Sequence, residues 1–307
     1  MNWYRENKDE WRQIIETVSA EEHRSVQMVE KDTIQSMFLE RLSKSELPFV
    51  FKGGTSLSKA YDLIDRFSED IDLSSDRKLT ETERRNVKSV ILEIADNLGL
   101  KLSNPDKVMS RHSYNKYVFE YDSLFSDIPL EMIVETSFYQ PVYPVLEHEV
   151  YSIIGRFCQE RDIDLPIPFE ASIVYMKVQS LERTFIDKVF AICDYRLQDM
   201  QDRDSRHLYD IAKILPNISI DDDLKALVDK VRKDRMSSKN NPSAQPEHDI
   251  PKMLKEIISS RFYEPDYTNL TRRLLYEDVS YDEAVNDGVA VLPILIFSNT
   301  GYKQNYP

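Results

Sequence analysis

The chain has 307 residues, of which 41% are hydrophobic and 31% charged, and its formal net charge is −14. This composition predicts a globular fold with a sizeable core. The negative charge argues against a protein that coats nucleic acid nonspecifically, because phosphate binding relies on lysine and arginine. A local basic groove is still compatible with the charge. The longest apolar run, residues 288–297, is far shorter than the roughly 20 residues of a membrane helix, so no membrane association is expected.

The N-terminal residues and the spacing of cysteines and histidines argue against two further classes of protein. The first residues show no basic region followed by an apolar core, so we expect a cytoplasmic protein without a secretory signal. Cys158 and Cys193 lie in unrelated contexts, and we interpret both as reduced and structural. The five histidines form no pair one helical turn apart, so a zinc enzyme is not expected.

Hydrophobic periodicity predicts alternating helices and strands in the first half of the chain. In chain order, we predict a helix over 22–42, a strand over 47–52, a hydroxyl-capped helix over 55–64, a strand over 67–73, a helix over 80–98, and strands over 113–121 and 129–138. The first half is therefore expected to combine a sheet with helices.

The second half is predicted to be mainly helical. After the proline-punctuated stretch 140–168, long helices are expected from near Val174 to beyond Leu215. Residues 236–251 are rich in Ser, Asn, Pro and charge, which predicts a mobile surface loop. We therefore predict two lobes, over residues 1–168 and 169–307.

Two acidic residues lie in the predicted strand 67–73. Asp70 and Asp72 are two residues apart, and because strand side chains alternate between faces, both carboxylates project on the same side. Such a pair can hold magnesium, which commonly takes one or two carboxylates together with substrate phosphates. The alternative is an acidic solvent face on an edge strand.

A glycine turn lies upstream, at the junction of the predicted strand 47–52 and its helix. Gly53 and Gly54 are followed by Thr55 and Ser56, and a helix N-terminus after glycines can bind phosphate through free amide groups. Lys59, one turn into the helix, could reach a phosphate oxygen. The alternatives are a tight turn with a hydroxyl cap and a solvated lysine.

Together, the glycine turn, the helix and the Asp-x-Asp strand resemble the polymerase-β-like nucleotidyltransferase superfamily. The segments Phe-Lys-Gly-Gly-Thr-Ser-Leu-Ser-Lys-Ala-Tyr at 51–61 and Arg-Phe-Ser-Glu-Asp-Ile-Asp-Leu at 66–73 resemble the first motif of the AbiEii/AbiGii toxin family. The resemblance implies an α+β fold, with a mixed sheet and helices in a nucleotidyltransferase lobe and a mainly helical C-terminal lobe.

The resemblance also implies further site residues. A third carboxylate completes the metal site on a neighbouring strand, with Glu131 and Glu135 as candidates and Glu135 favoured. The family's lysine helix is resembled by the segment 181–188, Leu-Glu-Arg-Thr-Phe-Ile-Asp-Lys, in which Lys188 corresponds to that lysine. Lys188 also falls on an apolar helix face, where a charged group needs a partner unless it reaches solvent. The family's last aspartate corresponds to Asp210, which could orient Lys188 or the acceptor, or could be an exposed helix residue.

The implied activity is nucleotide transfer from a nucleoside triphosphate, with Mg²⁺ or Mn²⁺, by the toxin of a toxin–antitoxin (abortive infection) system. The implied partners are a cognate antitoxin and a tRNA acceptor. The negative net charge of the chain argues against a tRNA acceptor. A tRNA would therefore need to dock on the arginines of the helical lobe, Arg196, Arg203 and Arg206. A protein or small-molecule acceptor, or nucleotide binding without turnover, remains an alternative.

Overall fold

The computed structural model describes residues 6–202 and 204–292 and contains two compact units. Among the described residues, the first unit comprises residues 6–62 together with Phe67–Ser180, and the second comprises Leu63–Arg66 together with residues 181–202 and 204–292. The division falls after Ser180, whereas the sequence suggested a boundary between residues 168 and 169. The difference arises because the segment after residue 169 contributes a strand to the sheet of the first unit.

A seven-stranded mixed sheet forms the centre of the first unit, in the order β3-β4-β5-β2-β1-β7-β6. Its strands are β1 (Phe49–Lys52), β2 (Asp70–Ser75), β3 (Lys101–Leu102), β4 (Tyr114–Tyr121), β5 (Leu130–Ser137), β6 (Val145–Tyr151) and β7 (Ile173–Gln179). The pairs β2–β5 and β1–β7 are parallel, and the other neighbouring pairs are antiparallel. The predicted α+β class, with a mixed sheet, is confirmed.

Alternating burial explains the β4 and β5 strands. In β4, Tyr117, Phe119 and Tyr121 are buried, while the residues between them face the other side of the sheet. The same pattern in β5 buries Met132 and Val134 in one core cluster with them. One face of this part of the sheet therefore packs on the core, which leaves the opposite face for polar side chains.

Strand β7 corrects the prediction that helices begin near Val174. Val174, Met176 and Val178 are buried, and β7 pairs along its length with β6. Residues of this kind fit either a short strand or a buried helix segment, and sheet pairing between distant residues decided the outcome.

The helices of the first unit carry local capping signals. They are α1 (Lys8–Glu21), α2 (Val26–Ser43), α3 (Gly53–Lys59), α4 (Glu81–Asn97) and α5 (Ile153–Arg161). Helix α4 begins with a capping box, in which Thr80 caps the first turn and Glu83 bonds back to Thr80. Helix α3 differs from its prediction over 55–64, because it begins at Gly53 and ends at Lys59.

The second unit is helical, as predicted. Its helices are α6 (Leu181–Leu197), α7 (Arg206–Ile214), α8 (Asp222–Arg235), α9 (Ile250–Ser259), α10 (Glu264–Asp266), α11 (Arg272–Leu274) and α12 (Tyr281–Asp287). The predicted mobile loop at 236–251 is instead anchored: Ser243 is fully buried, and its amide and hydroxyl both donate to the Asp194 carboxylate. Within residues 6–202 and 204–292, no helix is long and apolar enough to span a membrane.

Candidate active site

Asp70 and Asp72 lie on one face of β2, as the spacing predicted. The alternate residues of the strand, Ile71 and Leu73, are completely buried, while both aspartates are partly exposed. Strand β2 lies between β5 and β1 in the middle of the sheet. The alternative of an acidic face on an edge strand is therefore wrong, and two carboxylates stand together at the centre of the sheet.

Strand register places Glu135 beside this pair. Glu135 lies directly opposite Asp72, and side chains paired in this way project to the same face. Glu131 instead pairs with Glu120 of β4, and the register of β5 with β2 begins at Ile133. Of the two candidate glutamates, Glu135 is the one whose position adjoins the aspartates.

The Tyr114 hydroxyl lies near enough to all three carboxylates to be affected by their charges. Burial, followed by the charges of Glu135, Asp72 and Asp70, raises the pKa of Tyr114. The hydroxyl stays protonated and hydrogen-bonds Glu135. Lys116 also contacts Glu135, with 3.2 Å between Nζ and Oε1.

The donor set fits the hard divalent cation that the family resemblance implies. Such ions take oxygen ligands, and Asp70 and Asp72 offer carboxylate oxygens from one strand face. Within the described part of the chain, however, no group of three or more His, Cys, Asp or Glu side chains is already arranged around an ion position. Glu135, the neighbouring candidate, is engaged by Lys116 and Tyr114.

Gly53 allows the Asp72 carboxylate to lie against the turn between β1 and α3. Its φ is +79°, which L side chains rarely adopt, and a Cβ on Gly53 would lie 2.0 Å from Oδ2 of Asp72. The turn therefore requires glycine for two reasons, its backbone conformation and its contact with a predicted metal ligand.

We expect Gly53→Ala to displace the Asp72 carboxylate and to destabilise the protein by about 1–3 kcal/mol, the usual cost of a strained backbone conformation. Gly54→Ala is the matched control, since Gly54 lies in the same helix without a positive φ. Thermal unfolding and Mn²⁺ titration of both variants would measure the two effects. Equal behaviour of the two variants would contradict the role of Gly53.

The hydroxyls of Thr55 and Ser56 brace the turn. Thr55 Oγ1 donates to the backbone carbonyl of Asp70 and shares a hydrogen bond of 2.8 Å with Ser68 Oγ. Ser56 Oγ donates to the carbonyl of Gly53 at 2.8 Å, and both side chains are buried. The predicted hydroxyl cap is wrong, because α3 begins with Lys52 as its N-cap and without a side-chain cap.

Lys59 also differs from its prediction. Its side chain is buried, and its ammonium donates to the carboxylate of Asp32 and, at 2.7 Å, to Ser36 Oγ. Neither an exposed phosphate ligand nor a solvated lysine describes this group. The lysine ties α3 to α2, since Asp32 and Ser36 both belong to α2.

In the second unit, Asp210 accepts hydrogen bonds from two buried cations. Arg66 binds both carboxylate oxygens, at 2.7 and 2.9 Å, and Lys188 Nζ donates to Oδ2 at 2.6 Å. Burial alone would raise the pKa of Asp210, but Arg66 and Lys188 hold it well below its usual range. The expected partner for Lys188 is present, and the alternative of an exposed Asp210 is wrong.

A neutral histidine adjoins this ion cluster. His207 Nδ1 lies 3.4 Å from Lys188 Nζ, and its side chain is 16% exposed. Burial, and then the charge of Lys188, lowers the pKa of His207 from 6.5 to about 4. The imidazole therefore stays uncharged beside Lys188 at neutral pH.

This pKa shift predicts acid sensitivity. An unfolded chain protonates His207 as the pH falls through its ordinary pKa of 6.5, whereas the folded chain resists protonation until about pH 4. The stabilising contribution is therefore present above pH 6.5 and is lost as the pH falls towards 4. His207→Gln should show a flatter dependence of the melting temperature on pH over this window; parallel curves for the two proteins would refute the assignment.

Sequence reasoning assigned no role to Tyr114, Lys116, Arg66 or His207. Arg66 stood inside the quoted motif, but its partner Asp210 is 144 residues away. Lys116 carried a signal in the alternation of β4, which places it on the polar face, but only the register shows Glu135 beside it. Of the three arginines considered for tRNA, Arg203 lies outside the described residues.

Comparison with known proteins identifies the family. The family model described as "Nucleotidyl transferase AbiEii toxin, Type IV TA system" matches residues 37–287. No curated protein matches the sequence significantly. The structural comparison finds JHP933 from Helicobacter pylori, with 16% identity, TM-score 0.43 and coverage of 89% of this chain and 93% of that one.

A second H. pylori structure, described as a candidate nucleotidyltransferase, has 16% identity and TM-score 0.45, and the match covers 92% of this chain and all of that one. These two likenesses carry no part of the assignment. The family match extends over most of the chain and includes the glycine turn, both aspartates, Lys188 and Asp210. The chain therefore belongs to the AbiEii family of nucleotidyltransferase toxins of type IV toxin–antitoxin systems.

Proposed function

We propose that this enzyme uses a divalent metal ion to transfer a nucleotide from a nucleoside triphosphate to a tRNA acceptor. The observation that carries the proposal is the position of Asp70 and Asp72 on one face of a central strand, beside the Gly53 turn and in register with Glu135. In the transfer, the oxygen of an acceptor hydroxyl bonds to the α-phosphorus and its proton passes to solvent. The bond between the α-phosphorus and the oxygen that bridges to the β-phosphorus breaks, and pyrophosphate leaves.

Asp70 and Asp72, with Glu135, would hold Mg²⁺ or Mn²⁺. Metal bound by these carboxylates would stabilise charge on the attacking and leaving oxygens. The backbone amides of residues 53–56 would bind terminal phosphates, supported by the close approach that glycine permits. The hydroxyls of Thr55 and Ser56 are bonded within the protein, so their contribution is to hold this turn in place.

Lys188 and Asp210 are proposed as catalytic residues of the second unit. Lys188 would offset negative charge on the triphosphate, and Asp210 would orient its ammonium. The 2.6 Å contact between these side chains supports the second role. Lys59 has no place in the proposal, because its ammonium is bound to Asp32.

We propose that a tRNA acceptor docks on Arg196 and Arg206 of the second unit. Arg206 pairs with Asp204 at 3.0 Å, and the guanidinium of Arg196 lies 4.7 Å from the centre of the Phe262 ring. If these arginines bind tRNA, replacing both with alanine should weaken RNA labelling. The labelling that remains should also fall less steeply with rising salt concentration than it does with the wild type. Unchanged labelling would reject the docking surface.

The family assignment also supports a cognate antitoxin as a partner, and cytoplasmic action follows as part of the same proposal. We expect expression of this chain alone to arrest bacterial growth and co-expression with its antitoxin to relieve the arrest. Growth inhibition that persists in an inactive variant would argue that toxicity has another origin.

The deciding experiment incubates the purified protein with each of four α-labelled nucleoside triphosphates, Mg²⁺ or Mn²⁺, and either bacterial RNA or lysate. The Asp70→Ala, Asp72→Ala double variant is the control. Label in tRNA with the wild type alone would establish the proposed transfer and identify the nucleotide. Label in protein or a small molecule would change the acceptor, and binding without any transfer would leave only nucleotide recognition.

A further inference from the structure

Four charged residues form one row across four strands of the sheet. Lys52 of β1 is paired with Asp72 of β2, Asp72 with Glu135 of β5, and Glu135 with Lys116 of β4. Residues paired across neighbouring strands project to the same face. The two carboxylates of this row are therefore flanked by a lysine at each end.

The two lysines differ in what they bind. Lys116 contacts Glu135 at 3.2 Å, whereas Lys52 makes no ion pair with any residue that the structure describes. Glu135 also accepts a hydrogen bond from the Tyr114 hydroxyl, so its two side-chain partners among the described residues both belong to β4. The glutamate is thus held on the β4 side of the row, while Asp72 lies on its β2 side.

We propose that Lys116 is the counter-cation of Glu135 and pairs with its carboxylate until a divalent ion displaces the lysine. This inference rests on the proposed function, because it assumes that Glu135 joins Asp70 and Asp72 as a metal ligand. Lys116 is a positioning residue that acts through Glu135, and it sets how tightly the site binds its metal.

The exchange is physically reasonable because neighbouring carboxylates repel one another without a compensating positive charge. A lysine supplies that charge on a flexible stem, so it can withdraw from the carboxylate without moving the strand. The Lys116 side chain is 44% exposed, and an ion pair of this kind is weak enough to be replaced. Glu135 is less exposed, at 23%, and stays in the row.

Two consequences separate this role from a simple surface ion pair. Removing Lys116 should tighten metal binding, because the metal ion then no longer has to displace an ammonium group from Glu135. The gain should depend on Glu135 itself, which a double-mutant cycle measures. A surface pair that merely stabilises the sheet would alter the melting temperature without altering metal affinity.

The test measures Mn²⁺ binding to the full-length protein by electron paramagnetic resonance, without nucleotide. Lys116→Met should tighten Mn²⁺ binding by about threefold to tenfold, the range expected from removing a screened charge and its ion pair. Lys116→Arg should retain the wild-type affinity to within about twofold, since it keeps the charge. Lys52→Met is the matched control in the same row and should have a smaller effect than Lys116→Met.

The same Lys116→Met change is then made in a Glu135→Gln background, where it should alter Mn²⁺ affinity by less than about twofold. An equal gain in both backgrounds, or no gain in either, would overturn the exchange while leaving the proposed function intact. If the wild type shows no Mn²⁺ binding that Asp70→Ala, Asp72→Ala removes, the proposed metal site fails and this inference fails with it. Thermal unfolding of each variant checks that its fold is retained.

Discussion

Replacing Asp72 with asparagine is expected to lower nucleotide transfer by at least about a thousandfold, the scale seen when a central catalytic group is removed. Asp72 is in register with Glu135 and lies against Gly53, so its carboxylate is common to the proposed metal site and the turn. Asparagine keeps the shape and one oxygen but loses the charge, so it should hold a divalent ion much more weakly.

Glu131→Gln provides the matched control for this experiment. Glu131 lies on the same strand as Glu135, but it pairs with Glu120 and lies outside the register with β2. The control should retain wild-type transfer to within about twofold, because exposed substitutions away from specific contacts usually have small effects. Equal losses in the two variants, or an active Asp72→Asn protein, would contradict the proposed site.

The second large effect is on stability. Asp210→Ala is expected to lower the free energy of unfolding by about 3–5 kcal/mol, because removing one partner leaves uncompensated buried charge. The charges left behind are Arg66 and Lys188, whose side chains are buried together with Asp210. Chemical denaturation of the variant, monitored by circular dichroism, would measure the loss.

Lys213→Met is the matched control, since it removes an ion pair from the same helix. Lys213 contacts Glu277 at 2.7 Å, and both side chains are about one third exposed. Partly exposed pairs contribute about 0–1 kcal/mol, so the control should unfold near the wild-type midpoint. If Asp210→Ala is no more damaging than this control, the buried cluster does not carry the stability assigned to it.

Local chemistry explains why the α+β class and the acidic pair could be predicted. The common face of Asp70 and Asp72 follows from the two-residue period of any strand, whatever surrounds it. The capping signal at Thr80 and Glu83 also acts within one helical turn, and helix α4 accordingly begins next to its predicted start. Where short-range geometry decided the outcome, the prediction and the structure agree.

Prediction failed where an apolar segment had two compatible environments. The residues of β7 fit a helix or a buried strand, and pairing with β6 selected the strand. Ser243 lies in a polar segment that resembled a surface loop, but hydrogen bonds with Asp194, 49 residues earlier, bury it. The local sequence does not show that β7 pairs with β6 or that Ser243 binds Asp194.

By itself, the sequence determined the acidic pair, the glycine turn and the family motifs, because each depends on residues close together in the chain. Only the tertiary structure decided which partner each charge has. Register between β2 and β5 selected Glu135, folding of α2 against α3 assigned Lys59 to Asp32, and burial joined Asp210 to Arg66. These partners are distant in sequence, and a buried charge must find one in three dimensions to offset its loss of water.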